Sequence, residues 1–207
     1  ETILGTWEDD IGVDGLLNKE FDTSIWKEKN VTVTPNGSVY RKDKQGFLPK
    51  LMESMYDDRV KYKQLMLEEQ KKGRNADPNK LSQYYNYQQN LKIALNSAYG
   101  AMGNQWFRYY DERNAEAVSV AGQLSVQWAE NAVNNYLNTT LSAVNKDYIV
   151  AMDTDSLYVC LDDLVSKVGL IDKEKIVDFL DKACGRIEGV IEKSYDELAE
   201  YVNAYQQ

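Results

Sequence analysis

The chain has 207 residues, with 33 Asp and Glu against 24 Lys and Arg, no histidine, two cysteines and 43% hydrophobic residues. That is enough to bury one sizeable core or two small ones. The lack of histidine excludes Ser-His-Asp, Cys-His and His-ligated zinc chemistry, and Cys160 and Cys184 cannot supply a four-cysteine metal site or a useful disulfide framework. No apolar run approaches the roughly 20 residues needed to span a bilayer and no signal-peptide pattern opens the chain, so a cytoplasmic, reduced protein with no membrane association is expected. Its chemistry must come from carboxylates, Lys, Arg, Tyr, hydroxyls or a bound metal.

The chain opens on Glu1 rather than Met, and residues 2–7 (TILGTW) already read as structured, so a segment of something longer is expected. The rest of residues 1–30 reads as irregular. Residues 31–48 alternate in strand fashion around a Pro35-Asn36-Gly37 turn. Pro49 suits a first helical position, and a charged helix is predicted from Lys50 to Lys72, with Leu51, Met55, Leu65 and Met66 as its apolar contribution. The stretch 73–79 breaks it. A second helix is predicted from about Lys80 to Ala98, ended by Gly100 and Gly103. The spacing of Val118, Ala121, Leu124, Ser125, Trp128, Ala132 and Tyr136 predicts a third over 114–138. Two apolar runs around a polar centre make 147–161 a β-hairpin, and a last amphipathic helix runs from about Lys173 to Tyr205. The fold class is α+β: a small antiparallel sheet backed by helices, with a projecting antiparallel helical hairpin.

Two features carry chemistry. Residues 41–74 hold ten Lys and Arg and six Asp and Glu on an otherwise acidic chain, which suggests a local phosphate site; a solvated mixed-charge helix is the bland alternative. Within it Arg59 and Lys63 are four apart and share a helix face, as do Lys92 and Asn96 on the second helix, with Tyr99 and Gly100 continuing that stripe. Folding the hairpin about position 76 predicts that Arg59 and Lys92 lie side by side, so that three cations converge as a polyphosphate site, with Arg favouring forked contacts. Separately, Asp153-Thr154-Asp155-Ser156 lies between two apolar strands. In an extended chain residues i and i+2 point the same way, so both carboxylates are expected to face one spot suited to Mg²⁺, which prefers hard oxygen ligands. A polar turn with two solvated aspartates is the alternative.

Residues 91–115 (LKIALNSAYGAMGNQWFRYYDERNA) resemble motif B of the family B DNA polymerases, whose core reads Lys, three residues, Asn-Ser, one residue, Tyr-Gly. AMDTDS at 151–156 resembles motif C, usually Tyr-Gly-Asp-Thr-Asp-Ser. Phe107 to Asp111 followed by Arg113-Asn114-Ala115, GQLSVQW at 122–128 and TPNGSVYRKDKQGFLP at 34–49 look like the tailed-phage replicative subgroup.

That resemblance implies a palm formed by 1–48 and 104–207 and a fingers hairpin over 49–103. It implies that Asp155 is the metal-ligating motif C carboxylate and Asp153 its partner, that Arg59, Lys63, Lys92 and Asn96 grip the dNTP triphosphate, and that Tyr99 and Gly100 lie beside the nascent base pair. The implied reaction is two-metal Mg²⁺-dependent phosphoryl transfer: the primer 3′-OH attacks the α-phosphate and pyrophosphate leaves. The implied partners are primer–template DNA, dNTP, a sliding clamp and the remaining polymerase segments: the motif A palm strand with its carboxylate, the exonuclease and the thumb. None of these segments is found in the chain, so the isolated chain is expected to be inactive. Met152 and Ala151 stand where the family has Gly and Tyr, and the fingers look short for the phage subgroup. An inactive nucleic-acid- or nucleotide-binding relic, or scaffold, that keeps the polymerase fold is the alternative.

Overall fold

The computed structural model describes residues 3–7, 11–169 and 171–205; expectations resting on 1–2, 8–10, 170 and 206–207 lie outside them. The chain divides into two compact units, one holding Lys44–Ala115 and the other Leu4–Asp43 together with Glu116–Gln207.

The second of these begins with β1 (Gly5–Thr6), α1 (Val13–Leu17), α2 (Ser24–Glu28), β2 (Val31–Val33) and β3 (Ser38–Arg41). Val31 and Val33 face inward around half-buried Thr32, as strand alternation requires. The strands form an antiparallel sheet in the order β1-β3-β2, with Gly5 opposite Val39 and Val33 opposite that same residue on the other edge. Gly37 closes the β2–β3 turn at a φ of 76°, a conformation that glycine adopts without steric cost. The region expected to be irregular thus holds two short helices and an edge strand, elements too brief to show a period.

Two long helices complete this unit, α7 (Lys173–Tyr201) and all but the first four residues of α5 (Glu112–Leu141). Between them lie the hairpin strands β4 (Ile149–Asp153) and β5 (Ser156–Val159), a second, separate two-stranded sheet, and a short helix α6 (Asp162–Val168). The single sheet that the alternation suggested is therefore two. α6 has no counterpart among the predicted elements, although its ends are marked in the sequence: Asp162 and Asp163 favour the positive end of a helix dipole, and Gly169 stops it in the left-handed conformation at φ 70°. One core cluster gathers Leu16, Trp26, Val31, Val33, Leu124, Trp128 and Leu198; a second gathers Val133, Leu137, Tyr148 and Ile187. The Trp128 indole donates to the Ser194 carbonyl at 2.8 Å, so the large ring is buried without an orphaned N–H.

The C-terminal end of α7 is strapped to the three-stranded sheet. Asn203, at φ 53° just past the helix, donates its amide to the Val31 carbonyl at 2.9 Å and the Trp26 carbonyl at 3.3 Å, and accepts from Lys42 at 2.7 Å. Thr32 adds a hydroxyl bond to the Val202 carbonyl at 2.7 Å.

The unit Lys44–Ala115 is a helical hairpin of α3 (Phe47–Lys71) and α4 (Pro78–Met102), with a turn of 3₁₀ helix at Gly73–Asn75. α3 starts two residues before Pro49. Proline is harmless there as well, because the first-turn N–H groups have no intrahelical acceptor. α4 starts at Pro78, since Asp77 caps it by accepting from Asn79 N–H at 2.9 Å. The tip is tied by Glu69, which accepts the Asp77 backbone N–H at 2.9 Å and the Lys72 ammonium at 2.5 Å. Those two contacts hold its carboxyl below the usual carboxylate range, the lysine contact most strongly. α4 runs through Gly100 instead of ending there. Gly100, in the last turn of α4, is one of four helical glycines, with Gly122, Gly185 and Gly189, at which an added Cβ meets nothing within 4 Å.

Candidate active site

The acidic hairpin turns between its two carboxylates. Met152 pairs with Leu157 and Asp153 with Ser156, so Asp153 ends β4 while Thr154 and Asp155 form the two-residue turn. Asp153 and Asp155 share a face only on an unbroken strand through 153–155, and β4 ends at Asp153. Thr154 takes a φ of 30°, rare for a β-branched residue, and donates its hydroxyl to an Asp153 carboxylate oxygen at 3.0 Å. Ser156 donates to the Asp153 carbonyl at 3.2 Å. Asp155 lines a groove of about 650 Å³ with Ser125 of α5, Leu157 and Val159 of β5, and Glu188 and Tyr195 of α7, whereas Asp153 is not among its lining residues.

The exposed Asp153 and Asp155 carry hard oxygen donors of the kind Mg²⁺ takes, and thus fit that ion chemically. Among the described residues no group of three or more His, Cys, Asp or Glu is placed to hold a metal ion. Met152 stands on an ordinary strand position, since the left-handed φ falls two residues later at Thr154. The replacement of the family glycine by Met152 therefore brings no backbone strain.

Lys92, Asn96, Tyr99 and Gly100 follow one another along one face of α4 at spacings of four, three and one. All four are exposed, as is Lys63, while Arg59 is half-buried. The Arg59 Nε is enclosed and has no hydrogen-bond partner among the described residues. Across the hairpin Tyr62 stacks on Tyr87 at 4.8 Å and approaches Tyr84 at 6.3 Å. Three residues back, Arg59 is therefore level with about residues 87–90, and Lys92 stands two to five residues, about half a turn to one and a half turns, farther from the tip. The side-by-side pairing of Arg59 with Lys92 is thus shifted. Asp77 starts α4 early, so the hairpin folds nearer residues 74–75 than 76. Arg59, Lys63 and Lys92 make no ion pair with a described residue, so the stripe keeps its positive charge.

Ser125, which the sequence marks only as part of a helical spacing, and Glu188 and Tyr195, which no motif marks, are not among the candidate site residues. Cys184, Glu188, Ile191 and Tyr195 recur every three to four residues along the face of α7 that lines the Asp155 groove. A helical period alone does not separate a groove from a core. Trp106 is 86% exposed in the segment after α4, where Tyr109 packs edge-on against Phe47 at 4.9 Å.

The described fold is thus a helix-backed β-hairpin carrying Asp153 at the end of its first strand and Asp155 in its turn, and a separate helical hairpin carrying a cationic stripe. The sequence pattern of DNA polymerase family B matches residues 12–194, and the chain belongs to that family. It is 33% identical over 219 aligned positions to the DNA-directed DNA polymerase of Escherichia phage RB69, covering 82% of this chain and 24% of the phage protein. To the DNA-directed DNA polymerase of Enterobacteria phage T4 it is 32% identical, with the same coverage. To a DNA polymerase of Thermococcus gorgonarius it is 27% identical over 77% of this chain and 18% of that protein. The chain thus spans about a quarter of the length of the phage relatives. Among the described residues no helix is long and apolar enough to cross a membrane.

Proposed function

We propose that this chain is the palm-and-fingers part of a tailed-phage-type replicative DNA polymerase, adding a nucleotide from dNTP to a primer 3′-OH on a template strand. The observation that carries the reading is the tight turn that leaves Asp155 exposed between two strands of a family B chain. Asp155, with Asp153 as its partner, is the group here that would hold catalytic Mg²⁺, in a two-metal site completed by a carboxylate outside this chain. When bound, the metal neutralises charge on the reacting phosphates and lowers the pKa of the primer hydroxyl.

The chain's own residues do the rest by positioning. Arg59, half-buried on α3, would offer the outer edge of its guanidinium as a forked contact to phosphate oxygens. Lys63 and Lys92 add point charges, and Asn96 a neutral hydrogen bond. Tyr99 and Gly100 continue the same face, where a ring and an open backbone can lie against a base pair. Partners on this reading are primer–template DNA, dNTP, a sliding clamp and the polymerase segments bearing motif A, the exonuclease and the thumb.

The test is primer extension by the chain joined to, or mixed with, a motif A portion and a thumb. Asp155→Ala should lose on the order of a thousandfold in rate, equivalent to about 4 kcal/mol. Arg59→Lys should raise KM for dNTP roughly tenfold, because an ammonium cannot fork. A folded, DNA-binding assembly that fails to extend overturns the proposal and leaves the inactive relic.

A further inference from the structure

A second pocket, of about 360 Å³, lies between the C-terminal part of α5, α6 and the N-terminal half of α7. Its apolar lining includes Leu164, Phe179 and Ile187, and its charged residues are Lys167, Lys182 and Arg186. No Asp or Glu is among its described lining residues, on a chain with nine more carboxylates than cations. The Asp155 groove shows the reverse: Asp155 and Glu188 are its charged lining residues. Ile187 lines both, so α7 separates a carboxylate-bearing flank from a cation-bearing one.

The three cations are arranged differently. Lys167 donates to the Thr140 carbonyl at 2.8 Å, tying α6 to α5 at the pocket wall. Lys182 and Arg186, four apart on α7 and exposed, have no hydrogen bond or ion pair with a described residue. Two unpaired cations one helical turn apart match two carboxylates one turn apart on a facing peptide. The apolar lining adds a second requirement. A phosphate backbone takes up cations but gains nothing from Phe179 and Leu164, and a purely apolar ligand leaves the cations unused. A bulky apolar side chain flanked by acids uses both, and the pocket volume falls within the range of small-ligand sites.

We propose that this pocket docks an acidic peptide segment of a partner protein, which inserts one large apolar side chain while its carboxylates pair with Lys182 and Arg186. The site is separate from the proposed polymerase chemistry and does not depend on it.

The test uses three fluorescein-labelled 12-residue peptides: one Asp/Glu-rich with a central Trp, one with that Trp replaced by Ser, and one with the acids replaced by Asn and Gln. Fluorescence anisotropy with the 207-residue chain should show binding of the first with a Kd of about 10–100 μM, and at least about tenfold weaker binding of the other two. Lys182→Glu with Arg186→Glu should weaken the first peptide about tenfold or more, while Lys61→Glu with Lys71→Glu, in the other unit, should not. Val168→Glu, at an exposed lining position on α6, should weaken it too without disturbing the core. No binding at about 1 mM, equal binding of all three peptides, or indifference to the Lys182/Arg186 reversal overturns the proposal. So does a labelled oligothymidylate that is displaced by that reversal while the acidic peptide is not, or sedimentation showing that a second copy of the chain fills the pocket.

Discussion

Asn203→Ala should destabilise the unit that contains it by about 3–4 kcal/mol. Asn203 is 5% exposed, and its amide is the donor to two backbone carbonyls, of Val31 and Trp26, more than 170 positions away in sequence. A buried carbonyl left without its donor costs about 1–3 kcal/mol, and the bond from Lys42 contributes about 1 kcal/mol more. The longer Trp26 contact is the weaker of the two, so the hydrogen-bond loss comes to about 2–3 kcal/mol. Alanine must also hold the φ of 53°, which costs an L-residue with a simple Cβ about 1 kcal/mol. Asn203→Gly removes the same hydrogen bonds but tolerates that φ, so it should be milder by about 1 kcal/mol. Urea titration followed by tryptophan fluorescence reads both, because Trp26 and Trp128 lie in the core that the strap closes. A loss under about 1 kcal/mol for Asn203→Ala, or equal losses for the two variants, refutes the reasoning.

Burial and, second, the nearby Asp147 charge push Glu130 above the usual carboxylate range. A carboxyl whose folded pKa is raised costs stability once pH exceeds that value, and costs nothing below its unfolded value. Glu130→Gln should therefore raise Tm at pH 7–8 and leave it unchanged near pH 3 in thermal unfolding; equal shifts at both refute the reasoning. Asp147, held low by the Ile149 N–H and then the Asn134 amide, works in the opposite sense, so Asp147→Asn should cost Tm at neutral pH and little near pH 2. At the hairpin tip, Asp77→Ala should cost about 1 kcal/mol and speed amide exchange in the first turn of α4, while the backbone N–H to Glu69 remains. Unchanged protection of residues 79 and 80 would show that the cap does not hold that end.

The long elements were legible because their signals are redundant. α3, α4, α5 and α7 each repeat an apolar or charged spacing over many turns, and a break at 73–79 between two charged runs admits little besides a helical hairpin. The limits were less legible for local reasons. Pro49 is tolerated at the third helical position as well as the first, and Gly100 weakens a helix without ending it. Within the site, residue identity was visible and direction was not. Asp153 and Asp155 are two apart in sequence, but the strand ends between them, and no side-chain pattern announces a turn of two non-glycine residues. The level of Arg59 against Lys92 depended on where α4 starts, which the Asp77 cap shifted by two residues. The cation-lined pocket draws on α5, α6 and α7, and no local window of sequence contains all three.

The four open helical glycines amount to unused stability. Alanine at such a position is favoured over glycine by up to about 1 kcal/mol, and no neighbouring atom resists the added methyl. The positions differ in what lies near them: Gly122 lines the Asp155 groove and Gly100 continues the Lys92 stripe, whereas Gly185 and Gly189 line none of the pockets described. A redesign ranked by folding free energy would treat all four alike. Replacing Gly185 and Gly189 first would harden α7 while leaving both hairpin surfaces as they are, and the two remaining glycines would then serve as probes of what must come close to the backbone there.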